Sequence, residues 1–250
     1  MAHPPIIELR AVTKSFGPVD VLKGVDFAAH AGRVTALVGD NGAGKSTLIK
    51  GLAGVQPYDG GDVLFGGEPV RLDHPRDAAK HGIEVVYQDL ALCDNLDIVQ
   101  NMFLGREERR LGTFEEGQME VEAAAALQSL SVKTVKSLRQ KVSSLSGGQR
   151  QTVAIARAVV KQASVVILDE PTAALGVAQT AQVLALVRRL ADHGVAVIMI
   201  SHNLQDVFEV ADDVSVLYLG TMTARIEVAN TTREDVVGYI TGTKTMEAVA

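Results

Sequence analysis

Nine consecutive residues, Gly39-Asp40-Asn41-Gly42-Ala43-Gly44-Lys45-Ser46-Thr47, constrain this chain more than any other segment. They satisfy G-x-x-x-x-G-K-[ST]. An apolar run, Val34 to Val38, precedes them, and the apolar Leu48, Ile49 and Leu52 follow. Strand, glycine-rich loop, helix is the order of a phosphate-binding βα unit. Glycine admits positive φ and close backbone approach, so successive N–H groups can wrap a polyphosphate. The helix beyond presents the positive end of its dipole to the anion. Lys45 is expected to reach the β- and γ-phosphates, and the Ser46 hydroxyl to ligate Mg²⁺.

The surrounding pattern is that of an α/β protein. Two β-like runs, Ile6 to Val12 and Val19 to Ala29, flank the turn Ser15-Phe16-Gly17-Pro18. Val63-Leu64-Phe65 and the region of Val70, joined by Gly66-Gly67, read as a further hairpin, so an antiparallel subsheet is expected near the N-terminus. From Leu90 to Leu145 the pattern reads as helical, with Ala123 to Leu130 the clearest stretch. Strand, helix and strand then alternate over Val165 to Leu168, Val177 to Leu190 and Val195 to Ile200. That alternation predicts a parallel sheet interrupted by a helical insertion. The tail TTREDVVGYITG reads as a closing helix, and the final EAVA as a frayed end.

Two further segments carry chemistry. Val165-Val166-Ile167-Leu168-Asp169-Glu170 is an apolar strand ending in two carboxylates. Asp169 suits a hydrated Mg²⁺, which would leave Glu170 to polarise an attacking water. Leu145-Ser146-Gly147-Gly148-Gln149-Arg150-Gln151 opens an apolar-faced helix, Val153 to Val160, with Ser146 a fair N-cap. Such a start is also a second anion site. One chain needs only one for a single triphosphate, whereas two chains arranged head to tail could each close the other's loop.

The 250-residue chain is 47% hydrophobic and 22% charged, enough for a full core. No stretch approaches the roughly 20 apolar residues of a membrane helix, and MAHPPIIELR has no signal-peptide pattern. The lone Cys93 fits a reducing compartment. A net charge of −6 disfavours a broad nucleic-acid surface, so no nucleic-acid partner is expected. Work at a membrane would require a partner that brings the chain there.

The glycine loop, then LSGGQ, then Asp-Glu at a strand end, in this order, resembles the ATP-binding-cassette (ABC) family over essentially the whole chain. The resemblance implies a P-loop NTPase core with a mixed or parallel sheet, an N-terminal antiparallel β subdomain and a helical insertion. The core lobe would span about 1–89 and 160–250, and the helical subdomain about 90–159. It implies ATP and Mg²⁺ as cofactors, with Gly39, Asn41, Gly42, Ala43, Gly44, Lys45, Ser46 and Thr47 holding the phosphates. Gln88, in VVYQDL, matches the glutamine loop that touches the metal beside Ser46 and Asp169. His202, in MISHNL, matches the switch histidine that contacts the γ-phosphate. Lys45, Glu170 and His202 are thus the catalytic candidates, and Phe16 falls where an aromatic ring meets adenine. Ser146, Gly147, Gly148 and Gln149 would cap the nucleotide of a second cassette. One departure stands out. After Asp169-Glu170-Pro171-Thr172 the family usually has Ser-Ala-Leu-Asp, and this chain has Ala173-Ala174-Leu175-Gly176.

GDNGAGKSTLIK, VVYQDLALCDNLDIVQNMFLGRE, PTAALGVAQ and ISHNLQDVFEVAD look narrower still, similar to ATPases of ribose-, xylose- and fructose-type importers, and with its single cassette the chain looks more like the fructose-type version. Such an assignment implies an integral-membrane permease, a second cassette, indirectly a sugar-binding protein, and a position on the cytoplasmic face of the membrane. The cluster Arg106-Glu107-Glu108-Arg109-Arg110 reads as a solvated mixed-charge face. An ABC ATPase acting on nucleic acid or ribosomes, a nucleotide sensor with little turnover, and an importer of a non-sugar solute remain the alternatives.

Overall fold

The computed structural model describes residues 4–110, 113–132, 135 and 137–244. In chain order the elements are β1 (Ile7–Phe16), β2 (Val19–Ala29), β3 (Val34–Val38), α1 (Lys45–Leu52), β4 (Gly60–Phe65), β5 (Glu68–Pro69), α2 (Pro75–Lys80) and β6 (Ile83–Val86). Then come α3 (Ile98–Phe103), β7 (Arg109–Arg110), β8 (Thr113–Phe114), α4 (Glu116–Ser129) and α5 (Gly147–Val160). The chain continues through β9 (Val165–Asp169), α6 (Val177–Asp192), β10 (Ala196–Ile200), α7 (Leu204–Val210), β11 (Asp213–Tyr218), β12 (Thr221–Glu227) and α8 (Arg233–Ile240).

The strands form a six-stranded sheet in the order β12-β11-β3-β10-β9-β6 and a four-stranded sheet in the order β2-β1-β4-β5. In the larger sheet β11, β3, β10, β9 and β6 run parallel, and only the edge strand β12 is antiparallel. The smaller sheet is antiparallel throughout, as expected for the N-terminal runs.

Two cores account for the continuous apolar runs of the parallel strands, which must be covered on both faces. Val166 and Leu168 of β9, with Val197 and Met199 of β10, pack on one side with the apolar faces of α3, α4, α5 and α6. Val165 and Ile167, with Ala196, Ile198 and Ile200, face the other way, towards α1 and the buried Ile7, Leu9 and Phe27 of the antiparallel sheet. Truncating a fully buried leucine or isoleucine among these, such as Leu168 or Ile167, to alanine would cost about 2–5 kcal/mol.

The stretch Leu90 to Leu145 is helical only in part. Among its described residues the helices are α3, α4 and a 3₁₀ turn at Val142–Ser144, with the small β7–β8 hairpin between α3 and α4. Residues 90–97 form a loop because side-chain bonds compete with helix there. Asp97 caps α3 by accepting from Gln100 N–H at 2.8 Å. The buried Asn101 side chain accepts from Cys93 N–H at 2.7 Å and donates to the carbonyls of Cys93 at 3.0 Å and Asp97 at 2.9 Å. The closing helix is α8, whereas the EAVA end lies outside the described residues. Arg106 and Arg109 are exposed, and the Arg109 guanidinium lies 5.0 Å from the centre of the Phe114 ring. Among the described residues no helix is long and apolar enough to cross a membrane.

Candidate functional site

Four parallel strands deliver their C-terminal ends to one edge of the sheet, the edge at which open α/β sheets bind ligands. β3 leads into Gly39–Thr47, β10 into His202, β9 into Asp169 and Glu170, and β6 into Gln88. Register aligns them. Ile200 pairs with Leu37 on one side and Asp169 on the other, and Val86 pairs with Leu168. Because β10 lies between β3 and β9, His202 falls between the glycine loop and Glu170. The result is a cleft of about 730 Å³ lined by the whole of Gly39–Thr47 together with Gln88, Asp169, Glu170 and His202. Val21, Ala173 and Ile200, which the sequence did not assign to the site, complete its walls.

The loop's glycines are dictated by the fold around it. Gly39 has φ +155°, and a Cβ there would stand 2.2 Å from the Leu217 carbonyl oxygen. Gly44, at φ +107°, is the N-cap of α1 and supplies no side-chain cap, so the first turn of that helix is left for an external acceptor. The β11–β12 turn braces the loop from outside, with Gly220 N–H donating to the Ala43 carbonyl at 3.0 Å. The Lys45 ammonium donates to the carbonyls of Gly39 at 2.7 Å and Asp40 at 2.9 Å. Burial pulls its pKa down, and the carboxylates of Glu170, Asp40 and Asp169 oppose that shift.

Asp169 is half-buried. Desolvation first, then the neighbouring Glu170, hold its carboxyl above the usual carboxylate range. A cation arriving with the nucleotide would relieve both penalties. Among the described residues no group of three His, Cys, Asp or Glu could hold a metal alone. The Ser46 hydroxyl, the Gln88 amide and Asp169 are oxygen donors around one cleft. That set fits Mg²⁺, which binds through few protein oxygens and completes its shell with water and phosphate.

Glu170 takes a left-handed backbone, φ +48°, held by its N–H bond to the Ile200 carbonyl at 3.0 Å and by Ala173 N–H bonding its own carbonyl at 3.1 Å. A non-glycine residue is uncommon in that region and stays there only where its surroundings hold it. The turn sets the Glu170 carboxylate against His202, with Nδ1 to Oε2 at 2.8 Å. The glutamate side chain is 16% exposed and the imidazole 73%, so one is sheltered and the other reaches out.

Not every expected residue lies here. Phe16 stands at the end of β1, 42% exposed and outside the cleft lining, with Lys14 Nζ 5.7 Å from its ring centre. Ser146, Gly147, Gly148 and Gln149 are also outside it, at the start of α5. There Ser146 Oγ accepts from Gln149 N–H at 3.4 Å, while the Gln149 side chain accepts from Ser146 N–H at 2.9 Å. The serine is therefore the N-cap its sequence suggested.

Several known proteins resemble the chain along most of its length. The chain is 42% identical to the fructose import ATP-binding protein FrcA of Rhizobium meliloti, over 98% of this chain and 96% of that protein. It is 43% identical to the xylose/arabinose import ATP-binding protein XylG of Sulfolobus acidocaldarius, over 94% of each. Against the ribose import ATP-binding protein RbsA 1 of Rubrobacter xylanophilus it is 41% identical over 95% of this chain but only 47% of that longer protein. A crystal structure of a nucleotide-free ATP-binding cassette from an ABC transporter superposes with a TM-score of 0.81 at 25% identity, covering 98% of both chains. The ADP conformation of such a cassette gives the same score and identity over 96% of both. Residues 22–173 match the family described as ABC transporter, and with that segment and these relatives the chain belongs to the ABC transporter family.

Proposed function

We propose that this chain is the ATP-hydrolysing subunit of an importer for a small sugar, working in pairs beneath a membrane permease. The observation that carries the reading is the gathering of the glycine loop, Gln88, Asp169, Glu170 and His202 at one sheet edge. The ATP-binding proteins to which the chain is similar along its length are named for fructose and xylose/arabinose import.

In this reading the N–H groups of Gly39 to Thr47 and the Lys45 ammonium hold the β- and γ-phosphates. Ser46, Gln88 and Asp169 would hold Mg²⁺, which would neutralise phosphate charge as it develops. Phe16 offers a ring face to adenine. Glu170 orients the attacking water and takes its proton, while His202 steadies that carboxylate and faces the γ-phosphate. Ser146, Gly147, Gly148 and Gln149 of a second chain close over the nucleotide. ATP then stabilises the closed pair more than the open one, and hydrolysis removes that difference. The helices α3, α4 and α5 belong to the insertion whose displacement would be passed to the permease. A sugar-binding protein on the far side delivers the cargo, and the subunit sits peripherally on the cytoplasmic face.

The test is genetic and biochemical together. A strain lacking this gene should lose uptake of one pentose or hexose, and the wild-type gene should restore it. Glu170→Gln should fail to restore uptake while the purified variant still binds ATP. Unchanged uptake of every monosaccharide tried would reject the sugar assignment. Wild-type hydrolysis by the variant would reject the role of Glu170.

A further inference from the structure

Asp206, in the first turn of α7, is only 4% exposed, yet it lines no part of the cleft. Its two carboxylate oxygens serve two different loops. Oδ2 accepts from Thr172 Oγ1 at 2.6 Å, and Oδ1 accepts from Asn203 Nδ2 at 2.9 Å. Thr172 lies two residues beyond Glu170, and Asn203 directly follows His202. Those loops leave neighbouring strands and are already joined by the Glu170 N–H to Ile200 carbonyl bond and by the His202–Glu170 contact. Asp206 closes the far side of the same ring. A buried carboxylate is costly unless its oxygens are satisfied. Here they are satisfied by the two loops whose side chains must meet.

We infer that Asp206 is a positioning residue for ATP hydrolysis, holding the loops of Glu170 and His202 at a fixed separation. The inference rests on the site reading above and extends it to a residue that touches neither nucleotide nor water. The left-handed turn at Glu170 makes the requirement concrete, since such a turn persists only where its surroundings hold it. Thr172, anchored to Asp206, supplies that restraint from one side, and the Ile200 carbonyl supplies it from the other.

Purified full-length protein with ATP and Mg²⁺ provides the test, reading single-turnover phosphate release alongside equilibrium binding of a fluorescent ATP analogue. Asp206→Ala should slow release roughly 10- to 100-fold, the scale of an ångström-level misplacement, with analogue affinity changed less than about twofold. Thr172→Val should show the same split, which keeps the inference testable if Asp206→Ala folds poorly. Asp206→Asn can still accept from Asn203 and donate to the Thr172 hydroxyl, so it should retain most of the rate. In a His202→Ala background, Asp206→Ala should add little further loss, because groups acting as one unit are not additive. Wild-type release by Asp206→Ala, an equal loss of affinity and rate, or full additivity with His202→Ala would overturn the inference. Glu170→Gln, run in parallel, separates the two levels. If it is inactive while Asp206→Ala is unaffected, only the positioning role falls. If it hydrolyses normally, the reading of the site falls as well.

Discussion

Gly44 and Ser146 each cap a helix beside glycines, before the helix at Gly44 and in its first turn at Ser146, and the two starts are built differently. At Gly44 the cap is a left-handed glycine without a side chain, the loop before it admits no Cβ at Gly39, and catalytic candidates stand around it. At Ser146 the helix caps itself through Gln149, and the motif lies outside the cleft. Its glycines also answer to less within the fold. Neither Gly147 nor Gly148 has positive φ. A Cβ at Gly147 would meet only Leu175 Cδ2 at an ordinary 3.4 Å, and one at Gly148 would press the Gln179 side chain at 3.2 Å. In the proposed pair, bare backbone at these glycines would let the phosphates of the second chain's nucleotide approach closely. On the proposed function, the first segment would be a site by itself and the second half of one.

The sharpest test of that contrast is Lys45→Ala. It removes the loop's point charge, a loss of about 3 kcal/mol at the upper end for charged hydrogen bonds, or roughly 100-fold in ATP affinity. Titration of a fluorescent ATP analogue measures it, and unchanged affinity would end the assignment of the loop. Gly147→Ala should behave oppositely. Binding by the separate subunit should be unchanged and thermal stability equal or slightly higher, since alanine is favoured over glycine in helices by about 0.5–1 kcal/mol. ATP-dependent pairing and turnover should drop about tenfold, an effect of roughly 1.4 kcal/mol at the interface. Full turnover by this variant would show that the segment closes on nothing.

Gly176 offers a smaller effect in the reverse direction. Its φ of −75° and ψ of 162° suit any residue, and a Cβ would meet only Gln179 Oε1, at 4.0 Å. The loop can therefore accept the aspartate usual in the family. Gly176→Asp in a Glu170→Gln background should strengthen ATP-dependent dimerisation a few-fold by analytical ultracentrifugation. Equal dimer fractions would mean that the missing side chain is compensated elsewhere.

The smallest effect concerns the turn that carries Phe16. Asp59 accepts from Lys14 Nζ at 2.7 Å and from Ser15 N–H at 2.7 Å, and these partners hold its carboxyl below the usual range. A depressed native pKa favours the folded state above the unfolded value of about 3.9, and the benefit disappears as pH falls through the native value. Asp59→Asn should therefore lower the melting temperature slightly at neutral pH and not at all in strong acid. Because this pair is exposed, salt should shrink the difference. A gap that persisted in strong acid would show that packing, not charge, is responsible.

Much of this was legible along the chain. The glycine loop, the strand ending in Asp169-Glu170, the capped start of α5 and the N-terminal hairpins follow from local signals, because turn chemistry, apolar runs and capping act between residues a few positions apart. Strands β6, β11 and β12 were not anticipated. Asp213–Tyr218 is short, with only Val214, Val216, Leu217 and Tyr218 apolar, and such a run declares its pairing only beside its neighbours. The loop before α3 looked helical because its leucines are apolar, until Asn101 claimed its backbone.

What the residues alone determined is the inventory of the site: a phosphate loop, two carboxylates, a glutamine and a histidine, each at the end of an apolar run. What only the tertiary structure decided is their order in space. β10 is threaded between β3 and β9, so His202 sits against Glu170 although many residues separate them along the chain. The same packing leaves Leu217 so close to Gly39 that no side chain fits there, and it brings Thr172 and Asn203 onto one buried carboxylate. The reason is range. Propensity and periodicity act within a segment, whereas strand order and buried hydrogen bonds are set by which distant surfaces exclude water together.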